Sequence, residues 1–185
     1  MFHPAILAGV FILYGLVAGL LAGLVLGGRI ERLAAVRFRL APVAAVALAT
    51  QIALFSPFAE ALPDDAARAI YLASTAAVAI VVLANLRLTG VPLVVVGAGL
   101  NLAAIAANGG AMPANPAALA SLGMGVGGNT NSVVVEHPAL EPLTDIFALP
   151  AWLPLANVFS VGDVLIGIGM AVVIAAAMRH SPATA

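Results

Sequence analysis

Residues 5–28 read AILAGVFILYGLVAGLLAGLVLGG, twenty-four positions without a charge. A bilayer core about 30 Å thick is crossed by about 20 apolar residues of helix. This stretch therefore reads as a membrane span, and four further stretches follow it: 40–59, 69–86, 90–107 and 153–178. The second is interrupted only by Thr50, Gln51 and Ser56-Pro57, and the fifth carries Asp163 near its start. The composition agrees. Of 185 residues, 63% are hydrophobic and 8% charged, against about 25% charged in an ordinary soluble domain. A water-soluble fold of this size cannot hide so much apolar surface, because surface area falls too slowly with size. The formal net charge is −1, which leaves no basic face for nucleic acid. Cysteine is absent, which excludes disulfides, thiolate metal sites and cysteine nucleophiles.

The charges orient the spans. All seven basic residues are arginines. Arg29, Arg32, Arg37 and Arg39 fall between spans one and two, Arg87 between three and four, and Arg179 after span five; Arg68 alone lies on the opposite side. Such asymmetry marks the cytoplasmic face. It predicts the N-terminus outside and the C-terminus cytoplasmic. Glu60, Asp64, Asp65, Glu136, Glu141 and Asp145 gather on the outer side. The positive charges follow span one rather than precede it, the reverse of a cleavable signal, so span one reads as a retained helix. The expected fold is all-α: a polytopic transmembrane bundle of about five helices, a single domain over 1–185, with one long external loop at 108–152. The expected place is the bacterial inner membrane, in contact with lipid and with a second copy or another membrane protein as partner.

Gly15, Gly19, Gly23 and Gly27 recur every four residues and share one helical face. Small faces let backbones approach closely in lipid. Packing within the bundle is the favoured reading, and a homodimer face the other. Span five repeats the device with Gly167, Ala171 and Ala175. Intramembrane polar residues usually face the bundle. Interhelical hydrogen bonding accounts for Thr50, Gln51 and Asn85, whereas Gly97, Asn101 and Asn108 form a stripe in span four that leads into the loop.

The loop opens with NGGAMP at 108–113, where Gly109 and Gly110 permit positive φ. Asn115-Pro116 then signals a short helix over 117–122, Asn as cap and Pro in the first turn. Leu119, Leu122 and Met124 would lay it on the membrane surface. An irregular or hairpin stretch over 123–135 follows. No charge occurs between Arg87 and Glu136, so the loop is expected to pack on the bundle as a cap or lid. His137, Asp145, Asn157, Ser160 and Asp163 are its remaining candidates. His137, Asp145 and Asp163 match no recognised metal spacing, and no cofactor motif occurs. His3 and His180 read as terminal and solvated. For Asp163 two readings stand. If the last helix begins close to it, Ser160 or Asp163 caps free amides; if the helix begins near Trp152, Asp163 is an intramembrane acid and a functional candidate.

NGGAMP at 108–113, LTDIF at 143–147 and NVFSVGD at 157–163 together resemble an uncharacterised family of bacterial integral membrane proteins. That resemblance implies a five-helix membrane protein and no particular activity. FSVGDVLIGIG at 159–169 is also similar to the start of the last helix in lipoprotein signal peptidases. That resemblance implies two catalytic aspartates, here Asp145 and Asp163, 18 residues apart. The Gly-Asn-x-x-Asp-Arg and Asn-x-Gly-Ala-Phe stretches of those enzymes have no counterpart in this chain.

Two functions remain in view. In the first, the protein binds a lipid or small molecule, or serves as an accessory or scaffold, and the aspartates only fix the loop. In the second, Asp145 and Asp163 form an aspartyl hydrolase at the outer face. Paired carboxylates cannot both ionise, so one acts as base and the other as acid. Asn101, Asn108 and Asn157 would then orient substrate, with Gly109, Gly110, His137 and Ser160 in the binding set. A transporter is disfavoured, because charge at mid-depth and inverted repeats are both missing.

Overall fold

The computed structural model describes residues 10–54, 56, 62–123 and 132–179. Five long helices occupy the five expected stretches: α1 (Val10–Val25), α2 (Ala41–Leu54), α3 (Asp64–Ala84), α4 (Val91–Ala107) and, after the short α5 (Pro116–Ser121), α6 (Val161–Arg179). A 3-10 helix, Ile30–Ala35, lies between α1 and α2. The expected starts of span one at 5–9, most of the end of span two, and His3, His180, Glu60 and Met124 lie outside the described residues, as do the side chains of Asp64, Asp65 and Arg68. By length and composition α6 is long and apolar enough to cross a membrane; Phe11–Val25, Ala41–Leu54, Ala69–Ala84 and Val91–Ala107 are shorter apolar helices.

The ends of the helices follow local chemistry. α4 starts after Gly90, whose φ of +99° is left-handed and suits glycine. Pro92 then fits the first turn, where its missing N–H costs nothing. α6 starts at Val161 and not at 153. The reason lies just upstream. Leu155 has φ +58°, Leu149 N–H donates to the Asn157 carbonyl at 3.0 Å, and Val158–Phe159 is held in a strand pair. That stretch of backbone is committed elsewhere before the helix begins.

α6 is the central helix. α1 packs along one side of it and α4 along the other, while α2 and α3 form an antiparallel hairpin beside them. The α1–α6 pair is parallel and runs in register. A Cβ on Gly15 would collide with the carbonyl oxygen of Gly167, one on Gly19 would come within 2.7 Å of the Ala171 oxygen, and one on Gly23 within 2.5 Å of Met178 Sδ. The α4–α6 pair is antiparallel and uses the same device. Gly97 abuts the Gly162 carbonyl, and Gly90 the Gly169 carbonyl. Glycine at these positions brings the backbones within reach of dispersion and weak Cα–H···O contacts. The four-residue stripe of span one is therefore an internal seam. Gly27 is not part of it: it lies past the end of α1 at φ +76° with nothing within 4 Å.

Large apolar side chains face outward. Leu13, Val17 and Leu21 of α1, Val46, Leu48 and Ile52 of α2, Ile80 and Leu83 of α3, and Val96 and Leu102 of α4 are all exposed. Many of the buried positions are small or polar, including Ala47, Ala104, Ser74, Asn85 and Ser160, while Met178 is the largest fully buried side chain. Of the expected interhelical polar contacts, Gln51 Nε2 does donate to Thr75 Oγ1 at 3.3 Å. Thr50 does not cross between helices; its hydroxyl donates to the Val46 carbonyl one turn back at 2.9 Å. Asn85 holds the peptide of Arg39 at two points, accepting from its N–H at 2.9 Å and donating to its carbonyl at 2.9 Å.

Gly19→Ala is expected to lower stability by about 1–3 kcal/mol, the usual cost of overpacking. Gly99→Ala, in α4 with open space around it, is expected to be neutral or to stabilise by up to about 1 kcal/mol through helix propensity. Thermal unfolding of the purified protein distinguishes the two.

Candidate functional site

The loop after α4 folds into a small cap. Gly109 and Gly110 turn the chain with φ of +73° and +94°. Met112–Pro113 (β1) then pairs in parallel with Ser132–Val133 (β2), and Ala114 bridges in parallel to Asp145. Phe147–Ala148 (β3) pairs antiparallel with Val158–Phe159 (β4). Within the expected hairpin stretch 123–135, the described segment Ser132–Val133 is thus a partner of β1; 124–131 lie outside the described residues.

Asn115 caps α5 as expected, its Oδ1 accepting from Ala117 N at 2.9 Å and Ala118 N at 3.2 Å. The helix does not turn Leu119 outward. Leu119 is 3% exposed and joins Ala114, Ala118 and Val158 in a cluster of the cap's own, with Leu122 packed against it. The strand pairs put these apolar groups together, and burying them against one another is the better use of their surface.

Side chains fasten the cap to the helices. Asn108 at the end of α4 donates to the Ala104 carbonyl and the Ala139 carbonyl, both at 2.8 Å, and accepts from Ala139 N at 2.9 Å. Tyr14 of α1 donates its hydroxyl proton to the Pro154 carbonyl. Phe11 of α1 packs on Phe159 with centroids 4.5 Å apart, and Phe159 stacks on Phe147 at 5.4 Å.

The start of α6 holds the densest polar cluster. Ser160 and Asp163 form a capping box, in which a hydroxyl and a carboxylate reciprocally satisfy free amides. Asp163 N donates to Ser160 Oγ at 3.1 Å, and Ser160 N donates to Asp163 Oδ2 at 2.9 Å. Asn101 of α4 closes the cluster by donating from Nδ2 to Asp163 Oδ1 at 2.9 Å. Ser160 Oγ lies 2.8 Å from Asn101 Oδ1 and 2.9 Å from Asp163 Oδ2, so its single proton is shared between two acceptors. Ser160 is fully buried. Gly162 makes this reach possible, since a Cβ there would overlap Asn101 Oδ1. The sequence offered Ser160 or Asp163 as a cap only for a helix that began close by, and nothing in it ties Gly162 to Asn101.

The other candidates are placed as follows. Asp145 is 8% exposed. Its N–H donates to the Pro113 carbonyl and its carbonyl accepts from Asn115 N, both at 3.0 Å. Asn157 is half-buried and pairs through its carbonyl with Leu149. His137 is exposed on the loop. Gly109 and Gly110 serve the turn, with nothing within 4 Å of their Cβ positions. The structure thus joins Asn101, Ser160 and Asp163, while Asn108 acts at the neighbouring end of α4. Among the described residues no group of three or more His, Cys, Asp or Glu could hold a metal ion.

A sequence profile described as a family of unknown function, DUF5317, matches residues 35–175. The chain belongs to the DUF5317 family. The matched range runs from the end of the 3-10 helix to the last turns of α6, and so takes in both the capping box and the cap. No curated protein and no solved structure matches the chain. The DUF5317 match bears on the resemblance to an uncharacterised family; it carries nothing toward lipoprotein signal peptidases.

Asp163→Ala is expected to cost about 1–2 kcal/mol through loss of the cap. A double-mutant cycle with Asn101→Ala is expected to give a coupling of about 0.5–2 kcal/mol, measured by unfolding, because the two share a hydrogen bond. Asn108→Ala is expected to speed amide exchange at Ala139 at least severalfold while the α6 amides stay protected; peptide-resolved hydrogen exchange reads both.

Proposed function

We propose that the protein is a five-span component of the cell membrane with a non-catalytic role, an accessory or scaffold whose outer cap is held rigidly on the bundle. The observation that carries the non-catalytic part is the engagement of Asp163. Both carboxylate oxygens are occupied by groups that start α6 and tie it to α4. A carboxylate so used positions helices and has little freedom to shuttle protons to a substrate. The membrane part is supported by the outward apolar faces of α1 to α4. It is supported also by α6, of whose apolar window only 28% is buried; the core helix of a soluble protein would be mostly covered. α2, with 14 residues, spans about 21 Å at 1.5 Å per residue, and α4, with 17, about 26 Å. Both would need flanking residues to complete a crossing.

A second reading, an aspartyl hydrolase acting through Asp145 and Asp163, is favoured by one observation. The register Phe147↔Phe159 sets the segments bearing the two acids side by side. The cysteine-free chain allows a direct comparison. A disulfide between cysteines at 145 and 163 needs Cβ atoms about 3.5–4.5 Å apart. The scaffold reading expects no crosslink under an impermeant oxidant; efficient crosslinking would favour the dyad.

The topology is tested separately. Single cysteines replace Ala139 on the cap and Phe38 between α1 and α2, both exposed. Position 139 is expected to react with an impermeant maleimide on intact cells, and position 38 only after lysis. Labelling of both on intact cells would contradict the five-span arrangement.

A further inference from the structure

The end of the bundle opposite the cap gathers Arg29, Arg32, Arg37, Arg39, Arg87 and Arg179. The 3-10 connection between α1 and α2 and the turn between α3 and α4 flank the last turns of α6, leaving an open cleft of about 370 Å³. Arg32, Arg37 and Arg87 line it, and Val36, Leu88 and Val173 supply apolar wall. Arg32 is already used: its guanidinium donates to the Arg179 carbonyl at 2.9 Å and the Met178 carbonyl at 3.4 Å, closing the C-terminus of α6. Arg37 and Arg87 are exposed, and no carboxylate lines the cleft. Glu31, at this end of the bundle, lines a separate hollow with Arg29 and Arg32.

Three arginines thus line one cleft beside an apolar wall, and among the described residues Arg37 and Arg87 make no side-chain hydrogen bond or ion pair. Guanidinium matches phosphate geometry with paired donors. An anion that also covers the apolar wall must carry a hydrocarbon part. Basic pockets between helices at the membrane surface hold phosphate head groups in this way. We propose that this cleft binds the phosphate of an anionic phospholipid, gripped by Arg37 and Arg87, with its hydrocarbon part against the half-buried Val36 and Leu88. The proposal rests on the membrane-spanning reading, which sets the last turns of α6 at the level of the lipid head groups.

The test uses the full chain in neutral detergent. Phosphatidylglycerol or phosphatidylcholine is titrated in mixed micelles and bound lipid is counted by native mass spectrometry. The expected result is preferential binding of phosphatidylglycerol, reduced about tenfold or more in Arg37→Gln/Arg87→Gln, as two basic groups at such a surface require. Arg39→Gln, exposed and outside the cleft, is expected to keep the preference. Inorganic phosphate and glycerol phosphate are run as competitors and are expected to displace the lipid poorly. A preference that survives the double variant overturns the proposal, and so does displacement by inorganic phosphate at the lipid's own concentration. Carbonate extraction of membranes separates the two levels. A chain released by carbonate fails the membrane reading, whereas a retained chain without the arginine-dependent preference fails only the cleft.

Discussion

The close approach of α6 to both of its neighbours is the contact on which the other features depend. α1 meets α6 where Gly15 and Gly19 face Gly167 and Ala171, and α4 meets it where Gly97 and Gly90 face Gly162 and Gly169. No large side chain intervenes at these crossings, so dispersion and weak backbone contacts act over the length of the seam. The capping box and its bond to Asn101 are consequences of that approach. Asn101 reaches Asp163 because Gly162 presents no Cβ in its path. At the far end, Arg29 N–H and the Arg32 guanidinium close the last carbonyls of α6, which again requires α1 and α6 to end together.

Polar residues do repeated structural work in this chain. Asn85 and Asn108 stand at the C-terminal ends of α3 and α4, and each holds a distant peptide by both its N–H and its carbonyl. An amide side chain matches a peptide bond in this two-point manner. One clamp fixes the arginine-bearing connection and the other fixes the cap. The cap adds a small apolar cluster and an aromatic contact onto α1. It is held by many short-range fasteners rather than by a large core.

Much of this was legible in the residues. Uncharged runs marked where the long helices lie. The four-residue glycine spacing showed the seam, and Asn115-Pro116 the start of α5. The start of α6 was not legible. Asp163 suits both a cap and an intramembrane acid, and the choice depends on the strand pair β3–β4, a contact between segments far apart in sequence. The direction faced by α5 was hidden for the same reason: Leu119 is buried by Val158, and periodicity alone does not distinguish a cap interior from lipid. The two-point asparagine clamps and the pairing of Gly162 with Asn101 are tertiary facts without a local signature. For the candidate site, the members Asn101, Ser160 and Asp163 were singled out, but their union in one network came only with the fold.

The central claim is that α1 turns its glycine face to α6 and, in the membrane-spanning arrangement we propose, its large apolar face to lipid. A nitroxide scan along α1 of the protein in bilayers tests it most directly. Positions 13, 17, 21 and 24 are exposed, while 16 and 20 flank the seam. The account predicts high access of oxygen and low access of a water-soluble relaxant at the exposed set, with oxygen access falling at 16 and 20. Uniform oxygen access at every position, or access to the water-soluble relaxant along the exposed set, would contradict it.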